Sequence, residues 1–278
     1  MFVRSALLAA MVLAAGGRDV ARAGRPPVVR QPKRVALRIH PRVGDTLRMR
    51  FEQRVQAGGP ERTGEAAVTR ASAIRVLSRS IVQRVDAGGA TVLTITDSAA
   101  FEAPGADPRA VEAARRALTG RRTRMHVSPA GAMEILDQPS ASDAAAPFAH
   151  LPGTLPDAPV AVGATWTREM LLPWGGVAAL AETGKLEVEF RLDSLEGGVA
   201  YVSMHGALSR TGVAAGGARV VTSGTMTGGL QVDLRRGRMT DSRATFAMVS
   251  TLTPPPGSVS AKASQVRLTV TQRLHCTE

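Results

Sequence analysis

Late in this chain, fifteen residues alternate without a break. Val220, Thr222, Gly224, Met226, Gly228, Leu230, Val232 and Leu234 fall on one side, and Ser223, Thr225, Thr227, Gln231 and Asp233 on the other. A period of two belongs to a β-strand with one buried face. The same grammar recurs. Leu47, Met49, Phe51 and Val55 oppose Arg48, Arg50, Glu52 and Arg54; Leu186, Val188, Phe190 and Leu192 oppose Glu187, Glu189, Arg191 and Asp193. Ala244, Phe246, Met248 and Leu252 mark a further strand, and Val266, Leu268, Val270 and Leu274 the last. A chain written this way folds into antiparallel sheet, apolar on one side and polar on the other. Gly224, Gly228 and Gly229 inside the long run suggest bends or bulges.

One phrase occurs twice. Val43-Gly44-Asp45-Thr46 opens one run of alternation, and Val162-Gly163-Ala164-Thr165-Trp166 opens another 119 residues later. Each copy follows a proline-containing stretch. The expected organisation is a first β-rich half over 42–137 and a second over 161–278, joined by a proline-rich linker over 138–160. An extended leader over 24–41 precedes them, with a short strand at Val35 to Ile39.

Residues 107–120 break the period. Asp107 is a helix N-cap, Pro108 suits the first helical position and Gly120 ends the segment. Ala110, Val111, Ala114, Ala117 and Leu118 line one face at helical spacing. The expected fold class is mainly β: a large curved antiparallel sheet, or sheets, in two related halves, with one covering helix near 107–120.

The first 23 residues read as an export signal. Arg4 precedes an apolar run from Ala6 to Ala15, and Ala21-Arg22-Ala23 places small residues before a cleavage at Gly24. Cleavage after Gly17 is the alternative. The run is about half of the ~20 residues that span a bilayer, so no transmembrane span is expected in the mature chain. Glycine stands where a lipid-modified cysteine would follow the run, so the expectation is an exported protein, periplasmic or extracellular, without an N-terminal lipid anchor. The single cysteine, Cys276, leaves no intramolecular disulfide.

The net charge of +12 falls to +10 once three arginines and one aspartate of residues 1–23 are removed. An excess of this size favours anionic partners. Thirty-two arginines against three lysines, with no asparagine, also fit base composition alone, and the arginines are spread over nearly every strand. With nine aromatic residues in 278, base-stacking platforms are lacking, and no nucleic-acid partner is expected.

Catalytic and metal motifs were sought and not found. There is no Gly-x-Ser-x-Gly elbow, His-Glu-x-x-His, P-loop or dinucleotide fingerprint. The five histidines are scattered, and adjacent His275 and Cys276 point to opposite sides of a strand. Glu187 and Glu189, about 7 Å apart along one strand face, have the spacing of an acid/base pair, but read better as a solvated face. No catalytic residue, metal ligand or cofactor is assigned. Trp166 and Trp174, with Met226, Phe246 and Met248, are the candidates for lining a ligand cavity; for the tryptophans core packing is the favoured reading.

The paired V-G-D-T and V-G-x-x-W phrases, with Ser223-Gly224-Thr225-Met226-Thr227-Gly228 leading to Val232-Asp233-Leu234-Arg235-Arg236-Gly237, resemble an uncharacterised group of exported bacterial proteins, many of them lipid-anchored. The resemblance runs from about Leu37 to Leu274. The chain departs at Ala164, where aspartate is expected, and in lacking the anchoring cysteine. A more distant likeness is to periplasmic carriers of the lipoprotein-carrier type, whose half-barrel implies a curved sheet with an apolar concave face that binds acyl chains. The expected function is therefore non-enzymatic: an envelope protein binding an apolar or lipid-like ligand. The alternatives are a structural or protein-interaction module with an envelope protein partner and, less favoured, an unrecognised hydrolase.

Overall fold

The computed structural model describes residues 33–59, 69–137, 150–151, 153–172, 184–213, 217–255 and 263–278. They form β1 (Thr46–Gly58), β2 (Thr69–Asp86), β3 (Gly89–Glu102), α1 (Pro108–Leu118), β4 (Arg122–Val127), β5 (Met133–Ile135) and β6 (His150–Leu151), then β7 (Thr165–Leu172), β8 (Gly184–Glu196), β9 (Val199–Val213), β10 (Arg219–Asp233), β11 (Arg238–Thr253) and β12 (Ser264–Thr277). All strands join one antiparallel sheet in the order β6-β5-β4-β3-β2-β1-β12-β11-β10-β9-β8-β7. The chain enters mid-sheet at β1 and walks outward to β6. It restarts at the far edge with β7 and walks back to β12, which pairs with β1 from Arg48↔Thr277 to Gly58↔Arg267. The mainly-β sheet with one helix is thus as expected. β6 and β7 end the order and do not pair, so the sheet is open.

The doubled phrase occupies equivalent places. Gly44 and Gly163 have φ of 88° and 87°, the value a type II turn requires at its third residue. Asp45 N–H donates to Arg42 O at 3.0 Å, and Ala164 N–H to Ala161 O at 3.0 Å. Gly44 N–H then reaches Val82 O on β2 and Val82 N–H returns to Asp45 O, both at 2.9 Å. In the second copy Gly163 reaches Leu192 O on β8 at 2.7 Å, and Leu192 returns to Ala164 O at 3.0 Å. One residue past each contact the ladder slips: between Val82 and Arg84 in β2–β3, and between Leu192 and Ser194 in β8–β9. Asp45 adds one bond that Ala164 lacks, from Arg42 N–H to its carboxylate at 2.8 Å.

The main core lies on one face of β8–β12, with Val188, Phe190, Leu192, Val232 and Val270 wholly buried. Its packing alternates large and small side chains across the β9–β10 pair. Leu208 faces Gly224, Gly206 faces Met226 and Met204 faces Gly228. A Cβ on Gly228 would stand 2.1 Å from Arg243 O and 2.9 Å from Met204 Cε. These glycines therefore make room for methionine and leucine. The expectation that they mark bulges is corrected, because the β10–β11 register is continuous until Gln231/Val232.

Two further features depart from the sequence reading. The leader contributes no strand at 35–39 beyond one bridge, Val35↔Val160. It runs as a strap: Ile39 N–H donates to Pro129 O and His40 N–H to Gly237 O, each at 2.8 Å, with Leu37 wholly buried between them. The end of the proline-rich stretch adds a second plug, Leu155, also wholly buried. The helix forms as expected, with Asp107 capping Arg109 N–H at 2.9 Å. It packs against β3, and none of its residues is buried, so it flanks the sheet without covering the main core. Its short apolar side chains, mostly alanine, bury too little area to displace water fully.

Candidate functional site

The sheet presents two faces, each with its own chemistry. On the core face, the candidates Met226, Phe246 and Met248 are 5–6% exposed and stand among packed neighbours. Trp166 stacks on Phe190 with ring centroids 5.7 Å apart and donates from Nε1 to Thr154 O at 2.8 Å. Met226, Phe246 and Met248 belong to the main buried cluster and Trp166 packs against it, the core packing favoured for that tryptophan. Trp174 lies outside the described residues, as do the export-signal positions Ala21, Ala23 and Gly24. A small polar hollow of about 20 Å³ beside Glu52, Gln53 and Arg54 has room for one water.

The same face behaves differently across β1–β3. Phe51 pairs with Val76 and Val76 with Ala99; Ile74 pairs with Phe101 and Met49 with Ser78. Met49, Phe51, Ile74, Val76 and Phe101 are only half-buried. Among the described residues none of them belongs to either buried cluster, and of the β1 side chains Val55 alone packs against the main one. Toward one end the strip becomes polar, through Ser78, Ser80, Thr94 and Thr96. Ser80 and Thr94 share a hydrogen bond of 2.7 Å, and the Ser80 hydroxyl reaches Met49 Sδ at 3.7 Å. Sequence reasoning missed this strip because β2 alternates less cleanly than its neighbours, and its partners become visible only through register.

Where β1 meets β12, Gln272 donates to Gln53 at 2.9 Å on the core face. Cys276 is buried four residues further along β12, and burial pushes its thiol up to about 11, which keeps it protonated at neutral pH. Among the described residues no group of three or more His, Cys, Asp and Glu is placed to hold a metal ion.

The outer face is charged. Over four adjacent strands it carries Arg48, Arg50 and Arg54 of β1, Arg75 and Arg79 of β2, Arg267 and Arg273 of β12 and Arg243 of β11. Three carboxylates answer them: Asp97 of β3 pairs with Arg79 at 3.4 Å, and two more lie on the four strands themselves. Glu52 accepts from Arg50 at 2.7 Å and Arg75 at 3.1 Å, and the Arg50 bond, aided by Arg75, holds its carboxyl below the usual range despite some desolvation. Asp241 accepts from Arg243 at 3.1 Å, His275 at 3.2 Å and Arg273 at 3.4 Å. The expectation that arginines are merely spread along the chain is thus incomplete: pairing of the first and last long strands gathers them. Glu187 and Glu189 are exposed on the outer face of β8, with Glu169 of β7 directly opposite Glu187. That is the solvated face expected of them. No helix among the described residues is long and apolar enough to cross a membrane.

No family model and no curated protein matches this sequence.

Proposed function

We propose that this chain is a non-enzymatic, exported envelope protein that holds an apolar, lipid-like ligand against the core face of β1–β3. The observation that carries the reading is the uneven filling of one continuous face. Its β8–β11 part is closed by interdigitated side chains, while the strip of Met49, Phe51, Ile74, Val76 and Phe101 is only half-buried and, among the described residues, joins no buried cluster. An apolar strip grading into hydroxyls suits an amphiphile, with its tail on Phe51 and Val76 and its polar end toward Ser80 and Thr94. The export signal read from residues 1–23 supports an envelope location for such a ligand.

The test is to purify the protein from an envelope fraction, extract it with organic solvent and analyse the extract by mass spectrometry. Val76→Glu and Ile74→Glu would each strip the ligand without unfolding the second half. A protein repeatedly empty after gentle purification would overturn the reading.

A second reading, a protein-interaction module, is favoured by the edge of β7, where among the described residues the eight-residue strand has no strand neighbour on one side. Such an edge accepts an added strand. Crosslinking from Thr167 in the native envelope, yielding one defined partner, would support it.

A further inference from the structure

We propose that the outer face of β2, β1, β12 and β11 docks the protein on an anionic phospholipid surface. This face lies opposite the apolar strip, and the inference does not rest on the ligand reading.

Four observations carry it. First, the charge is concentrated: eight arginines meet Glu52 and Asp241 on the four neighbouring strands and Asp97 from β3, with Arg84 and Asp86 paired to each other at the end of β2, while Glu169, Glu187 and Glu189 stand away on β7 and β8. Base composition sets how many arginines a chain has, and it does not separate them from the acids. Second, like charges face each other directly across strands. Arg48 opposes Arg79 and Arg243 opposes Arg273. Asp97 of β3 answers Arg79 at 3.4 Å and Asp241 answers both Arg243 and Arg273, yet each facing pair keeps a net positive charge that an added anion lowers further. Third, Arg48, Arg54 and Arg267 are exposed and have no carboxylate partner among the described residues, so they are available to a ligand. Fourth, the array is two-dimensional. Strands about 5 Å apart and alternate residues about 7 Å apart set the guanidinium groups in a lattice several strands wide. A planar layer of phosphate headgroups engages such a lattice at many points, whereas a single polyanionic strand follows one line of it. No Phe, Tyr or Trp sits on this face of the four strands to stack a base, and the His275 ring is held by Asp241.

Each arginine near an anionic membrane surface adds roughly five-fold to the binding constant, and salt screens the attraction within a Debye length. The test is sedimentation of the purified protein with vesicles of phosphatidylcholine alone or mixed with phosphatidylglycerol. Binding is expected to the anionic vesicles only, and to disappear in high salt. The triple variant Arg48→Gln, Arg54→Gln, Arg267→Gln should bind on the order of 100-fold more weakly with an unchanged melting temperature. Lys185→Gln with Arg191→Gln, on the acidic end of the same face, should bind within two-fold of the parent. Val76→Glu, on the opposite face, should leave vesicle binding intact, which separates this inference from the ligand reading. Equal binding to neutral vesicles would overturn it, and so would parental binding by the triple variant. Tighter binding to an oligonucleotide or an acidic peptide than to anionic vesicles at equal salt would overturn it as well. Should the triple variant melt early, the neutral-against-anionic comparison and the salt titration of the parent decide.

Discussion

Gln53 and Gln272, 219 residues apart in the chain, share a 2.9 Å hydrogen bond on the core face where the first and last long strands pair. Each amide is partly buried and satisfies the other. Gln53→Ala leaves Gln272 unpaired and should destabilise by about 1–2 kcal/mol. Replacing both with leucine should be close to neutral, because no polar group is then stranded. Urea unfolding of the two single leucine variants and the double decides; strict additivity would mean that the bond contributes nothing to the closure between β1 and β12.

The large-and-small packing of β9 on β10 predicts opposite failures at neighbouring positions. Met226→Ala empties the space over Gly206 and should cost about 2–5 kcal/mol. Gly228→Ala drives a methyl into Arg243 O and should cost about 1–3 kcal/mol through strain. Calorimetric melting checks both; a neutral Met226→Ala would mean that this region is not tightly filled.

The equivalence of the doubled phrase is testable because neither glycine is crowded. A Cβ on Gly44 or Gly163 meets nothing within 4 Å, so only the positive φ resists substitution. Gly44→Ala and Gly163→Ala should each cost about 1 kcal/mol, and by similar amounts. A large difference between the two melting temperatures would show that the turns do unequal jobs.

These two turns also show what was readable in advance. Gly44 and Gly163 announce their turns locally, as do Asp107 and Gly120 for the helix, because φ > 0 and capping are properties of a few adjacent residues. The strand faces were equally legible from period two. The partner of each strand was not, since register is set by contacts distant in sequence: nothing near Arg48 indicates that Arg79 lies opposite. The same limit applies to the candidate site. Met226, Phe246 and Met248 were recognisable as inward residues, but whether an inward residue lines a cavity or fills one depends on Gly206 and its neighbours across the sheet. Leu37 falls in the expected Val35–Ile39 strand and Leu155 in a proline-rich segment without periodicity, and the burial of each depends on contacts distant in sequence.

Cys276 carries an alkaline signature. Burial raises its thiol from the ordinary 9.0 to about 11, so the folded chain keeps a proton that the unfolded chain releases earlier. The associated stability is complete below pH 9 and is lost as the pH rises toward 11. Relative to Cys276→Ala, the parent should lose on the order of 1–2 kcal/mol over that range. Melting curves of both proteins from pH 8 to pH 11 check it, and parallel curves would contradict the buried, protonated thiol.

The ligand reading rests on one face being open over β1–β3 and closed over β8–β11. Photolabelling the purified protein with a photoreactive long-chain fatty acid, then mapping the adducts by mass spectrometry, tests that contrast most directly. The account predicts saturable labelling confined to β1–β3, at residues such as Met49, Phe51, Ile74 and Val76, and abolished in Val76→Glu. Labelling at Met226, Phe246 or Met248, or no saturable labelling anywhere, would contradict it.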